Sequence, residues 1–221
     1  MALLKETATA KFDETVEVYR KALTYIVDVM DREFPGLEGW NSKSIVSAVE
    51  RLIHATKKNP CPKYEDFDRL FYKFPSYFRR SAIAEAFGIL QSHRHRYERW
   101  LKEKREAEDE GRRFRKRPPK LQLNHRAFPV FYKDVMFQRT GDTTARIKVY
   151  HKNDWVWLDI RFKGQDLRKR GVADWKENNP ALVKVGKKYF LHISYQKDVK
   201  PNDTPLSERK ICAVDLGLNH S

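Results

Sequence analysis

Cysteine is scarce in this chain: Cys61 and Cys212 are the only two in 221 residues, and they lie far apart in sequence. Without a CxxC pair there is no thiolate zinc site and no disulfide framework, and a reducing, cytoplasmic setting is expected. Long apolar runs are missing too. Met1 to Ala10 lacks the apolar centre of a signal peptide, and no stretch approaches the ~18 apolar residues that cross a bilayer, so no membrane partner is expected. No P-loop, GxGxxG, Ser-His-Asp or Cys-His constellation stands out, and His125, His151 and His192 fall on separate strands and loops. These absences argue against conventional hydrolase and nucleotide-binding functions.

Negative charge is the other shortage. Thirty Asp and Glu face 45 Lys and Arg, a formal net charge of +15. An excess of this size favours a polyanionic partner, because each neutralised phosphate releases condensed counterions. A ribosomal or membrane-surface protein could carry the same balance. The chain is nevertheless built to fold: 40% of its residues are hydrophobic, with 13 Phe, 10 Tyr and 5 Trp, enough for one or two domains with real cores.

The first half has helical periodicity. Val16, Tyr19, Leu23, Ile26 and Met30 recur at three- and four-residue steps and share one face, and Pro35-Gly36 ends that helix. A second helix starts near Asn41 or Ser42, either a good N-cap, and buries Ile45, Val49, Leu52 and Ile53. After the rigid Asn59-Pro60-Cys61-Pro62 break, Tyr64 to Phe71 can form a short third helix. The fourth and longest opens at Pro75-Ser76, with Ser76 as a possible cap. It carries Phe78, Ala82, Ala86, Ile89, His93, Tyr97 and Trp100 at helical spacing and ends near Glu110, where Gly111 supplies the stop. His93 reads as a hydrogen-bonded residue of the apolar face. Residues 112–120, Arg-Arg-Phe-Arg-Lys-Arg-Pro-Pro-Lys, cannot be helical across two prolines, and six of the nine are basic. With no acid inside the segment, it reads as a linker that touches phosphate.

Beyond it the period changes to two. Arg146 to Tyr150, a turn at His151 to Asp154, and Trp155 to Phe162 make one hairpin; Ala181 to Val185, a turn at Gly186, and Tyr189 to Tyr195 make another. A basic, turn-rich connection from Gly164 to Asn179 separates them, and a small antiparallel barrel is the expected closure. Of Trp155, Trp157 and Trp175, at least one is expected in the core, and the others are available to stack on bases. A last apolar strand, Ile211 to Val214, delivers Asp215 into Leu216-Gly217-Leu218-Asn219.

Three segments together resemble the N-terminal half of TnpB, the transposon-encoded, RNA-guided DNA endonuclease related to type V CRISPR effectors. They are Pro75-Ser76-Tyr77-Phe78-Arg79-Arg80 leading into Ala82 to Ala86; Val156 to Gly164 with Ala181 to Lys184 and Lys188 to Ile193; and Val214-Asp215-Leu216-Gly217-Leu218-Asn219. The resemblance spans roughly Val16 to the end. It implies an α+β chain with a helical recognition domain (11–111), a basic linker (112–120), an antiparallel β-barrel wedge domain (121–200) and the first strand of an RNase H-like (RuvC) nuclease fold (209–221).

It also implies roles. Asp215 would be the first catalytic carboxylate and a Mg²⁺ ligand; the structural alternative is a turn or N-cap aspartate. Ser76, Tyr77, Arg79 and Arg80 at a helix N-terminus would read the short motif flanking the DNA target, phosphate through the helix amides and guanine through arginine. Tyr77 can equally be a packing residue. Arg94 and Arg96 on the long helix would meet RNA or a heteroduplex, with a solvated face self-paired to the interleaved glutamates as the alternative. Arg112, Arg113, Arg115, Lys116, Arg117 and Lys120 in the linker would meet phosphate, and Arg161, Lys163, Arg168, Lys169, Arg170 and Lys184 of the barrel region would meet guide RNA. The expected partners are therefore guide RNA and target double-stranded DNA, with a RuvC-bearing segment or a second copy of the chain as further possibilities. Only Leu216 to Ser221 follow Asp215, whereas two-metal hydrolysis needs several carboxylates around ions ~3.5–4 Å apart. Nucleic-acid binding without cleavage is thus the expected behaviour. The rival readings are a Mg²⁺-dependent endonuclease completed by another segment and a general basic RNA-binding protein.

Overall fold

Asn41 and Ser44 show how locally the helices are specified. The computed structural model describes residues 2–3, 6–37, 39–123, 127–163 and 174–198, with side chains from residue 9 onward. In it, helix α1 (Glu6–Glu33) precedes α2 (Ser42–Ile53), whose N-cap is Asn41. The Asn41 side chain accepts from the Ser44 amide, and the Ser44 hydroxyl accepts from the Asn41 amide, a reciprocal capping box. Helix α3 (Asp66–Leu70) is short, and α4 (Ser76–Asp109) has 34 residues, or about 50 Å of length. Its cap is Pro75, which offers no side-chain acceptor, so Ser76 stands one position inside the helix and does not cap it. At the other end Gly111, at φ 66°, provides the left-handed turn, with the Arg112 amide donating to the Ala107 carbonyl at 2.8 Å.

The period-two half forms an antiparallel sheet. Its strands are β1 (Ala2–Leu3), β2 (Phe137–Arg139), β3 (Thr144–His151), β4 (Asp154–Lys163), β6 (Ala181–Val185) and β7 (Lys188–His192), in the order β2-β3-β4-β1-β7-β6; β5 (Lys176–Glu177) and β8 (Tyr195–Gln196) pair separately. Both expected hairpins are present. Lys152 (φ 49°) and Asn153 (φ 62°) make the tight turn of the first, and Gly186 (φ 59°) makes that of the second. The hairpins do not pair with each other. Strand β1, from the opposite end of the chain, lies between them, with Leu3 opposite Phe162 and Ala2 opposite both Lys163 and Phe190.

The barrel expected from the strand pattern is not closed among the described residues. Edge strand β6 meets only the stretch leading into the other edge, β2: the Leu182 amide donates to the Pro129 carbonyl at 3.0 Å and the Phe131 amide to the Pro180 carbonyl at 2.8 Å. Pro129 and Pro180 have no N–H, which keeps this contact from extending into a ladder. The fold is α+β, with an open sheet. The RNase H-like strand assigned to 209–221 lies outside the described residues.

One core serves helices and sheet alike. Val16, Tyr19, Leu23, Ile26 and Met30 of α1 are buried together with Ile147 and Val149 of β3 and Leu191 of β7. Phe78 is fully buried, with its ring centroid 5.6 Å from Tyr19, 5.3 Å from Phe131 and 5.5 Å from Trp155. Polar contacts near the start of α1 fasten the sheet: the Thr15 hydroxyl accepts from the Tyr150 amide at 2.9 Å, and Asp13 accepts from Lys184 and Tyr189. Farther along α1, the Arg20 guanidinium donates to the Ala127 carbonyl at 3.0 Å.

Glu85 of α4 is set into this interface, accepting from the Tyr19 hydroxyl at 2.9 Å. Burial raises its carboxyl above the ordinary range, only partly offset by the Tyr19 hydrogen bond and the charge of Arg20. The folded state therefore binds this proton more tightly than the unfolded chain, and stability falls as pH rises from the unfolded value near 4.5. Glu85→Gln keeps an acceptor for Tyr19 and removes the charge. It is expected to raise the melting temperature at pH 7 and to converge on the wild type below about pH 4. A lower melting temperature at pH 7 would contradict the placement of this carboxyl.

Candidate nucleic-acid interface

The last buried side chain of α4 in the main core is Leu90, and beyond it only Ala107 is buried. The helix thus continues as an arm. The basic segment 112–120 turns at Gly111 and runs back beside it: the Trp100 indole donates to the Lys116 carbonyl at 2.9 Å, His93 Nε2 lies 3.2 Å from the Pro119 carbonyl, and the Phe114 ring meets Trp100 at 5.8 Å. His93 is half-buried and hydrogen-bonded, as the apolar face implied.

The return also gives 112–120 the acidic neighbours that the segment itself lacks. Lys116 pairs with Glu103 of the arm at 2.7 Å, and Arg112 pairs with Glu110. The acids lie outside the segment in sequence and are brought beside it by the turn. Arg113, Arg115, Arg117 and Lys120 are exposed and make no hydrogen bond or ion pair among the described residues. On the arm, Lys102–Glu106 and Lys104–Glu108 are i,i+4 pairs at 3.8 and 3.6 Å, a solvated, self-paired face. Arg96 is exposed, with its guanidinium held 3.2 Å from the Ser92 carbonyl. Arg94 is mostly occupied by the fold: it donates to the Phe34 carbonyl just past the end of α1 at 2.8 Å and reaches Asp31 at 3.4 Å.

The helix start expected to read DNA is rearranged by packing. Arg79 has only 6% of its surface exposed, and its Nε lies 3.2 Å from Glu50 of α2. It is not available to a base edge. Arg80 is exposed but also turns to Glu50, at 3.3 Å. Tyr77 stacks on Tyr132, ring centroids 3.9 Å apart, which favours the packing alternative; Ser76 is exposed. The sequence could not reveal Glu50 as the common partner, because it lies on another helix nearly thirty residues upstream.

The sheet carries the second basic surface. Along β3 and β4, buried Ala145, Ile147, Val149, Ile160 and Phe162 alternate with Arg146, Lys148, Trp157, Asp159, Arg161 and Lys163. Cross-strand neighbours are Thr144 with Arg161, Arg146 with Asp159 and Lys148 with Trp157. Arg161 and Lys163 are exposed as expected. Arg146 and Lys148 are new to the surface; their alternation with Ala145, Ile147 and Val149 was the available signal. Lys184 belongs to the fold, paired with Asp13. Trp155 is the core tryptophan, whereas Trp157 and Trp175 are 36% and 37% exposed.

Arg168, Lys169, Arg170 and Asp215 lie outside the described residues. Among the described residues no group of three His, Cys, Asp or Glu is placed to hold a metal ion, and no helix is long and apolar enough to cross a membrane. No curated protein and no solved structure matches the chain. One family model does, over residues 2–151, which takes in α1 to α4, the arm with its basic return, and the sheet as far as the end of β3. The chain belongs to the Aq_aa04 family.

Proposed function

We propose that this chain is the nucleic-acid-binding part of a TnpB-like RNA-guided DNA endonuclease, with guide RNA as the principal partner. The observation that carries this reading is the basic return along the arm. Arg113, Arg115, Arg117 and Lys120 stand exposed on a segment tethered at Trp100 and His93, with no acid neutralising them among the described residues. Held cations of this kind match a regularly spaced phosphate backbone better than a mobile tail does, because less ordering entropy is lost on binding. The net charge of +15 and the exposed cations of β3 and β4 point the same way.

In this reading, sequence is read mainly by base pairing of the guide, while the protein recognises backbone, shape and a short flanking motif. Arg79 takes no part in motif contact, and Ser76 with Arg80 is what remains of that surface. Asp215 would be the first of several carboxylates around Mg²⁺, which would stabilise charge at the scissile phosphate.

Sequencing the RNA that co-purifies with the protein, mapped to its own locus, tests the proposal. One abundant species from the neighbouring transposon end is the expected result. Random host RNA would overturn the guided reading in favour of a general RNA binder. Alanine at Arg113, Arg115, Arg117 and Lys120 together is expected to lower the slope of log affinity against log salt by about 3, near 0.7 for each phosphate no longer neutralised. An unchanged slope would remove the arm from the interface.

A further inference from the structure

Resting on that reading, we infer that Trp157 is a stacking platform for an unpaired base of single-stranded RNA. The indole sits mid-strand on β4, within eight consecutive cross-strand pairs that fix the hairpin. It is 36% exposed, whereas Trp155, two residues earlier, is 8% exposed and packs on Phe74 and Phe78. Alternation alone would turn both rings to one face. Helix α4 covers the Trp155 end and leaves Trp157 open.

The surroundings select the ligand. The Arg146 guanidinium lies over the Trp157 ring, 5.7 Å from its centroid, and is held there by Asp159 at 3.1 Å. Lys148 stands directly across from Trp157, and Arg161 and Lys163 follow on the same side of β4. Asp159, beside Trp157 on this face, is engaged by Arg146. An electron-rich ring flanked by surplus cations suits a planar, neutral base attached to an anionic backbone. A duplex fits poorly, since its bases are stacked on one another and present only their edges. The other exposed tryptophan among the described residues, Trp175, adjoins the two-residue strand β5 and not a long hairpin.

The test uses the full chain with two probes, an oligouridylate of about eight nucleotides and an RNA duplex, read by fluorescence anisotropy and by tryptophan emission. Trp157→Ala is expected to weaken single-strand binding about 5- to 100-fold and to remove most of the emission quenching, with its salt slope unchanged. Trp157→Phe, which keeps a ring, should recover much of the affinity, and duplex affinity should not move. Lys148→Ala should instead lower the single-strand slope by about 0.7. If Trp157→Ala keeps its circular dichroism and binds the oligouridylate like the wild type, stacking is overturned while the arm-dependent binding stands. If the wild type binds neither probe, both readings fall.

Discussion

Replacing Phe78 with alanine is expected to cost about 3–5 kcal/mol of stability, as large-to-small changes of buried aromatics do. Phe78 is the first buried residue of α4 and is fully buried where three parts of the fold meet. Its ring contacts Tyr19 of α1, Phe131 of the stretch that bridges the sheet edges, and Trp155 of β4. These neighbours are large and anchored in separate elements, so they cannot all move into the void. The loss should appear in helix and sheet together. Urea titrations followed by far-ultraviolet circular dichroism and by tryptophan emission should therefore shift in step. A loss below about 1 kcal/mol, or two separated transitions, would show that helices and sheet are not stabilised through a common core.

Glu50→Ala should be nearly as damaging, by a different route. It removes the carboxylate from Arg79, which is 6% exposed, leaving a buried guanidinium without its ionic partner. Breaking a buried pair from one side typically costs about 3–5 kcal/mol, much of it desolvation of the charge left behind. Arg80 bonds the same carboxylate from a side chain that is 57% exposed, so Arg80→Ala should cost under about 1 kcal/mol. The informative companion is the double variant Glu50→Ala, Arg79→Met. With both charges removed and volume partly kept, it should regain most of the loss, and the coupling can be read from the double-mutant cycle. If the double variant is no more stable than Glu50→Ala, the stranded charge is not the cause.

The contrast between Arg79 and Trp157 shows what the sequence could reveal. Helix faces, the Asn41 cap, the Gly111 stop and both hairpins were legible because each depends on residues within a few positions of one another. Sheet closure was not legible: alternation identifies strands but not their neighbours, and the insertion of Ala2–Leu3 and the prolines at the meeting of the sheet edges act between residues far apart in sequence. Charged side chains were the hardest to place. Arg79, Arg94, Lys116 and Lys184 looked like the cations around them, yet each meets an acid supplied by a distant turn of chain. For Arg146 and Lys148, a strand period of two marks the face they occupy but not whether another element packs over it.

The position of β1 bears on the order in which the molecule can be made. Ala2 pairs with Lys163 and with Phe190, so β1 must wait for two strands that are synthesised long after it. Each hairpin can form from neighbouring residues, but joining them requires closure of a loop about 160 residues long, with little return until that closure is complete. On the ribosome the helices, which bury the same core, emerge long before the sheet that covers them. During that interval the part of their apolar surface that the sheet will cover stays open, and a nascent-chain chaperone, or a pause until the second hairpin emerges, would protect it from aggregation.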